Sequence, residues 1–496
     1  MAAKTQHERI ITGLKFKQLR QAKGMSFSEL SQRSGLSVSY LNEIEKGKKY
    51  PKEEKMDALL AALGTNRAEL ESPLFHKNLA PVTELLESNF LNELPLELYG
   101  IDLAKVVELI AGAPTQVGAF ISTLLEISRN YALREENFYF AALRSYLELN
   151  QNYFREIEDA AAAFSTEFNI PESRPISPEI LKRLLETEYG YVIHEGGLDS
   201  YTELGHLRAV FVPARKTLLL NSNLSANQRA FQFGKELGFQ YLKVQQRAVT
   251  SSLLRGLSFE EVLNHARATY FSDALLLPLE PFLRDFREFA ASPRWDGALF
   301  LEWMKRYGAT PEMFYHRLTN ILPKFFGLDQ LFFMRFVHDP EHGGFEVDRE
   351  LQLSKRHKPH GNGLKEHYCR RWLSVSLLED LQALQKEGKS VDAMVKAQRM
   401  RFADGGDEYL CFTIARTSYP APNRNVSVTL GLLVNEVLRR RLQFLDDPAI
   451  TIREVGNTCE RCPIEDCAER AAPPVVVERR RRSQRIQQQL AEIQQS

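Results

Sequence analysis

A chain of 496 residues, 44% of them hydrophobic, is long enough for roughly three domains of about 150 residues, each with its own core. No apolar run reaches the roughly 18 residues of a membrane helix and the opening MAAKTQHERI lacks an apolar signal core, so the sequence points to a soluble, cytoplasmic protein with no membrane role. Zero formal net charge confines any nucleic-acid surface to a local patch, and five cysteines are too few for a disulfide framework, which leaves clustered thiols as metal ligands.

The first 70 residues read as short helices. ERIITGLKFKQLRQAKG sets Ile11, Leu14 and Leu19 on one side of a first helix, and in MSFSELSQRSG the capping-box spacing of Ser26 and Glu29 opens a second. Gly35 breaks that helix, Ser37 can cap a third over SVSYLNEIEKG, Gly47 ends it, and EEKMDALLAALG adds an amphipathic fourth. Two short helices around a glycine-containing turn are the helix-turn-helix layout. Thirteen Lys and Arg against eight Asp and Glu up to residue 70 give the local positive excess that phosphate contacts require.

This stretch resembles the repressor-like XRE family, whose pattern is matched by Leu19, Arg20, Ser26, Glu29, Leu30, Gly35, Ser37, Tyr40, Ile44, Glu45 and Gly47. The resemblance implies an all-α domain over 8–70 that binds double-stranded DNA as a homodimer. Val38, Ser39, Asn42 and Glu43 would face bases, with Lys46 and Lys48 near phosphates. Phe27 stands where the family has Gln, which removes one polar DNA contact.

Residues 76–170, after SPLFHKNLAP, are rich in Leu, Ala and Glu and read as a helical bundle for linkage or dimerisation; Pro171, Pro175 and Pro178 mark its end. Beyond them YGYVIHEGG and LRAVFVPARKTLLLN read as strands and LSANQRAFQFGKELGFQYL as a helix, in the order strand, strand, helix. FGKELGF and the downstream HARATYFSDALLLP resemble the ImmA/IrrE-type zinc metallopeptidases, whose active helix carries H-E-x-x-H. Here Lys235 and Phe239 replace the zinc-binding histidines and His265 the carboxylate ligand, which leaves Glu236 of the catalytic set. An ammonium and a phenyl ring do not bind zinc. Residues 171–320 are therefore expected to form a degenerate zincin-like α+β domain, its former cleft taking an anion on Arg208, Arg215, Lys235, Arg267 and Tyr270.

From residue 325, LFFMRFV, GFEVDRELQLS, EYLCFTIAR and NVSVTLGLLV read as strands of a PAS- or GAF-like α+β sensory domain over 325–470, with Arg416 and Arg424 as a second place for an anion. A basic, Gln-rich tail follows at 471–496; its Arg479 to Arg482 and Arg485 are a rival basic site, read as solvated. CERCPIEDC supplies Cys459, Cys462 and Cys467 as C-x2-C-x4-C, three thiolates that do not close a four-coordinate site. Cys369 in KEHYCRRW is the candidate fourth, and Cys411 reads as a buried bystander. Four thiolates hold zinc or a 4Fe-4S cluster and the spacing does not choose, with His367 an alternative ligand for zinc.

The full set of segments, closing with AERAAPP after the cysteines, resembles the RamB/PrpR group of short-chain acyl-CoA-responsive transcriptional regulators. The resemblance implies a mixed α/β multidomain, non-enzymatic regulator with a 4Fe-4S cluster on Cys369, Cys459, Cys462 and Cys467 and an acyl-CoA or CoA effector. CRRW stands here for the group's CPLW around Cys369. Two other readings compete: a redox-sensing regulator without a small-molecule ligand, which needs a solvent-reachable cluster, and an ImmA/IrrE-like metalloprotease, which needs the missing histidines.

Overall fold

The computed structural model describes residues 6–70, 135–250, 258–339, 344–353, 366–403, 405–421 and 423–495. The bundle expected at 76–170 lies outside the described residues as far as 134. The chain divides into two compact units, 1–146 with 256–260 and 147–255 with 261–496.

In the first unit α1 (Gln6–Ala22), α2 (Phe27–Ser34), α3 (Val38–Glu45), α4 (Glu53–Ala62) and the single turn α5 (Arg67–Leu70) enclose a core of Phe16, Leu19, Leu30, Leu41, Ile44, Leu59 and Leu63. The caps read from the sequence are present. Ser26 accepts the Glu29 N–H at 3.2 Å and donates its own N–H to the Glu29 carboxylate at 2.7 Å, while Gly35 ends α2 at φ 71° and Ser37 caps α3. Gly13 is where α1 meets the end of α3: a Cβ there would lie 2.3 Å from the Ile44 carbonyl oxygen.

Arg20 and Glu45 form a bidentate pair at 2.7 and 2.9 Å, with the guanidinium 4.1 Å from the centre of the Phe27 ring. Both partners are largely buried, and the Glu45 bond raises the Arg20 pKa. Phe27 thus packs under a structural arginine, which accounts for an apolar residue at a position where a polar one was expected. Glu45→Ala should cost about 2 kcal/mol, since it leaves a half-buried guanidinium without its partner. Urea denaturation of the N-terminal unit measures this; a loss near zero would make the pair incidental.

The second unit begins with the end of α6 (Glu135–Leu149), α7 (Arg155–Glu167) and α8 (Pro178–Thr187). A three-stranded sheet follows, in the order β1-β3-β2, from β1 (Val192–His194), β2 (Ala209–Val212) and β3 (Thr217–Leu220). The run LRAVFVPARKTLLLN, expected as one strand, is two: Pro213–Arg215 form a 3-10 turn, Lys216 takes φ 45°, and β2 returns antiparallel on β3. Proline cannot donate to a ladder and fixes its own φ, so the chain turns there.

Next come α9 (Ala226–Tyr241), α10 (Phe259–Leu276), α11 (Leu279–Ala290), α12 (Gly297–Arg306) and α13 (Pro311–Phe326). α9 is buried without a break from Gln232 to Phe239. Its Gly234 and Gly238 admit α10 closely, since added Cβ atoms would lie 2.5 Å from Ser272 Oγ and 3.0 Å from the Phe271 ring. That approach brings His265 of α10 against Lys235.

A six-stranded sheet completes the unit, ordered β5-β4-β8-β7-β6-β9. Its strands are β4 (Leu331–Asp339), β5 (Gly344–Gln352), β6 (Met394–Phe402), β7 (Glu408–Thr417), β8 (Asn425–Leu433) and β9 (Thr451–Val455), with α14 (Leu373–Lys386) between β5 and β6 and α15 (Glu436–Arg441) after β8. Phe332, Met334, Phe336, Tyr409 and Cys411 pack with α14 on one face. On the other face Phe412 meets Trp295 and Phe300, and α13 packs on β4 and β8. Both faces are covered, so β7 and β8 are apolar nearly throughout rather than alternating. The terminal basic segment is not irregular: it forms α16 (Val475–Gln495), exposed along most of its length.

Candidate functional site

Three places carry the residues singled out above. On α3, Val38 and Ser39 are exposed, Asn42 and Glu43 are partly exposed one turn later, and Leu41, Ile44 and Glu45 point into the core. The spacing i, i+1, i+4, i+5 sets the four outward residues on one helix face. Lys46 and Lys48 follow it in solvent. Glu43 is bonded to Lys49 at 2.7 Å, which offsets its repulsion toward a phosphate backbone.

The second place is the former peptidase centre. Lys235 Nζ lies 3.1 and 3.3 Å from the two ring nitrogens of His265 and 5.8 Å from the Phe239 ring. Burial first, then the neighbouring Lys235 charge, holds the His265 pKa well below the usual imidazole value. Burial likewise pushes Lys235 down to about 7, against the pull of Glu236. Glu236, the surviving catalytic carboxylate, is taken by Arg247 at 2.7 and 2.8 Å and by the Tyr191 hydroxyl at 3.0 Å. The Arg247 guanidinium lies over Phe239 and Phe211 at 4.0 and 4.1 Å. A carboxylate chelated by a guanidinium is not placed to activate water, and the donors around it are cations and rings. Arg247 was not legible as part of this centre because it lies in the loop after α9 with no motif spacing.

A titration follows from this burial. Between pH about 7 and 10.5 native Lys235 binds fewer protons than the unfolded chain, so its contribution to stability improves as pH rises through that window. Lys235→Met should therefore be more stable than the wild type at pH 7, on the order of 1–3 kcal/mol, with the gap closing toward pH 10.5. Thermal unfolding of both proteins across that range checks it; a gap independent of pH would contradict it.

The other expected ligand residues separate. Arg208 stays near Lys235, and each acts on the other's ionisation. Arg215 is exposed on the turn after β2 and Arg267 is half-buried. Tyr270 is buried elsewhere, its hydroxyl donating to Glu158 at 2.7 Å and accepting the Phe154 N–H at 3.3 Å. On the large sheet Arg416 bonds Glu312 at 3.2 Å, while Arg424 is half-exposed, 4.0 Å from Asp339.

The third place is the cysteine turn. Residues 366–369 lie along 457–461: Tyr368 bridges Thr458, the Cys369 N–H donates to the Asn457 carbonyl at 3.2 Å and the Cys459 N–H to the His367 carbonyl at 2.8 Å. Glu366 clasps Arg461 at 2.8 Å and Thr458 at 2.7 Å, and His367 Nδ1 contacts Glu460 at 2.8 Å, so that ring is engaged away from the thiols. Cys369 feels Cys462 and Cys459, and Cys462 feels Cys467 and Cys459. Burial pushes the Cys369 thiol up to about 11. Among the described residues no three or more Cys, His, Asp or Glu side chains already converge as a metal site.

The surroundings nevertheless suit thiolates. Backbone N–H groups of Arg371 and Gly456 donate to Cys369, that of Ile464 to Cys462, and that of Ala471 to Cys459 Sγ at 3.3 Å, while the Arg470 cation acts on Cys462. Gly456 is required here because a Cβ would lie 2.7 Å from Cys462 Sγ. Cys411 sits apart inside β7, fully buried, its thiol pushed up by burial alone.

Comparison with known proteins is consistent with this division. Residues 13–72 match the model of a helix-turn-helix domain and residues 190–319 that of an IrrE N-terminal-like domain. Over 344 residues the chain is 23% identical to the HTH-type transcriptional regulator RamB from two Mycobacterium tuberculosis strains. The match covers 67% of this chain and 65% of those relatives. A solved Mycobacterium tuberculosis transcriptional regulator is 22% identical, with 68% of this chain and 93% of that one covered at a TM-score of 0.46. Among the described residues no helix is long and apolar enough to cross a membrane. The chain thus carries a helix-turn-helix domain followed by an IrrE-like domain and is related in sequence to the RamB regulators.

Proposed function

We propose that the protein is a DNA-binding transcriptional regulator without peptidase activity, acting in the cytoplasm as a homodimer on double-stranded DNA. The observation that carries this is α3, whose outward face of Val38, Ser39, Asn42 and Glu43 leads into Lys46 and Lys48 while its inner face is fixed in the core. The reading of the IrrE-like segment as non-catalytic rests on Lys235, Phe239 and the Arg247–Glu236 pair. Its second unit binds a short-chain acyl-CoA or CoA that alters DNA affinity; Lys235 and Arg208 are the expected residues nearest one another. The layout β5-β4-β8-β7-β6 with α14 on one face supports the PAS- or GAF-like reading of 325–470.

Cys369, Cys459, Cys462 and Cys467 would hold a 4Fe-4S cluster, with zinc as the alternative, and such a centre would supply redox sensitivity or a structural tie. The chain's own part is to present thiolates beneath backbone N–H donors and to keep residues 366–369 against 457–461. Selection of bound sequences from a random duplex pool tests the regulator reading. Full-length protein should enrich a two-fold symmetric site, and protein lacking residues 1–70 should enrich none while retaining its far-ultraviolet dichroism. Equal enrichment by both would overturn it.

A further inference from the structure

Arg335 on β4 and Arg349 on β5 are register partners, directly opposite across the strand pair. Like charges so placed are destabilising. Two more guanidiniums join them. Arg416 on β7 bonds the same carboxylate as Arg335, and Arg208, next to β2, is near enough for Arg335, Arg349 and Arg416 each to act on its ionisation. The carboxylates bonded to this group among the described residues are Glu312, which takes Arg335 at 3.0 Å and Arg416 at 3.2 Å, and Asp348, which takes Arg335. Four cations against two anions leave an excess before Lys235 is counted, and Glu236 does not offset it because Arg247 holds that carboxylate. Glu312 itself stands in the first turn of α13, where the helix end adds partial positive charge.

The group faces an internal space. Arg349 keeps an exposed side chain, and Arg208 and His316 keep part of theirs, yet burial depresses the pKa of all three. Side chains that are reached by solvent and still desolvated line a cavity rather than the outer surface. Arg416 also carries a buried Nε with no hydrogen-bond acceptor among the described residues. Guanidiniums converge in this way on a planar or tetrahedral oxyanion with several acceptors.

We propose that the space between α13 and the β4, β5 and β7 face binds a multiply charged anion of the phosphate class on Arg208, Arg335, Arg349 and Arg416, with Glu312 as the counter-ion it displaces. This deepens the effector reading by placing the effector's charge, and rests on that reading only for the link to DNA. The phosphate could be free or part of a nucleotide-bearing molecule, and the probes separate the two.

Calorimetric titration of full-length, anaerobically purified protein with inorganic pyrophosphate and with coenzyme A is the test. Wild type should bind at least one, and Arg349→Gln, which removes a like-charge neighbour at an accessible position and should fold normally, should weaken that binding at least tenfold. Glu312→Gln should strengthen it. Binding of coenzyme A alone would identify a nucleotide-borne phosphate and binding of both the anion itself; either supports the site if Arg349→Gln weakens it. No binding by the wild type, or equal affinities in wild type and Arg349→Gln, overturns it. If the anion binds and DNA affinity stays fixed, the effector reading fails and the site stands. If an acyl-CoA shifts DNA affinity equally in wild type and Arg349→Gln, the site fails and the reading stands.

Discussion

Arg317→Met should lower the stability of the second unit by about 3–5 kcal/mol. Arg317 is wholly buried on α13 and bonds both oxygens of Glu158 on α7, with its Nε donating to the Leu277 carbonyl at 2.8 Å. Tyr270 of α10 donates to the same carboxylate at 2.7 Å. Three helices therefore meet on one carboxylate. Removing the cation leaves Glu158 charged, out of water and short of partners, the situation in which breaking a buried pair costs most. Adding Glu158→Gln should recover part of the loss, since the double variant no longer buries an unpaired charge. Urea unfolding followed by circular dichroism measures both; a single-variant loss under about 1 kcal/mol would show that the pair is not structural.

A second large effect is expected at the cysteine turn. In anaerobically purified protein, Cys369→Ala, Cys459→Ala, Cys462→Ala and Cys467→Ala should each lose the bound metal and become protease-sensitive beyond about residue 450, because binding confined to the folded state adds to folding free energy. The chain between Cys369 and Cys459 is a long loop, and tying its ends together removes much of the unfolded chain's freedom. Cys411→Ala should keep its metal. Gly456→Val is the more specific variant: it leaves every thiol in place but puts a Cβ 2.7 Å from Cys462 Sγ, and it should behave like a ligand loss. Metal analysis with limited proteolysis reads all of these. A colourless protein with one zinc would replace the cluster and keep the tie, whereas full metal in Cys369→Ala would remove Cys369 from the ligand set.

The parts of the molecule legible from sequence are those fixed by local rules. Ser26, Glu29, Gly35 and Ser37 each act within four residues of their partners, so the first helices and their ends could be read directly. β4, β7 and β8 were legible as apolar runs. β6 was not, since MVKAQRMRF carries Lys396, Arg399 and Arg401, whose charges are met by Asp380, Glu408 and Asp446 from other elements. The same limit applies to the sites. Lys235 and Glu236 stood out through a motif, but Arg247, which holds Glu236, and Arg335, Arg349 and Glu312, which surround the proposed anion, come together only through strand register and helix packing. Tyr270 shows the reverse error: its place in a resembling segment put it in the cleft, while burial gives it to Glu158.

Recognition of DNA by α3 is tested most directly by the salt dependence of binding to the selected duplex, for the wild type and for Lys46→Ala, Lys48→Ala and Asn42→Ala. Each lysine change should reduce the slope of log affinity against log salt by about 1 and weaken all sequences alike, while Asn42→Ala should relax preference at one base pair by roughly 1–3 kcal/mol with the slope kept. Unchanged slopes and preference in all three variants, with affinity lost instead when Arg479 to Arg482 are replaced, would contradict it and move DNA binding to α16.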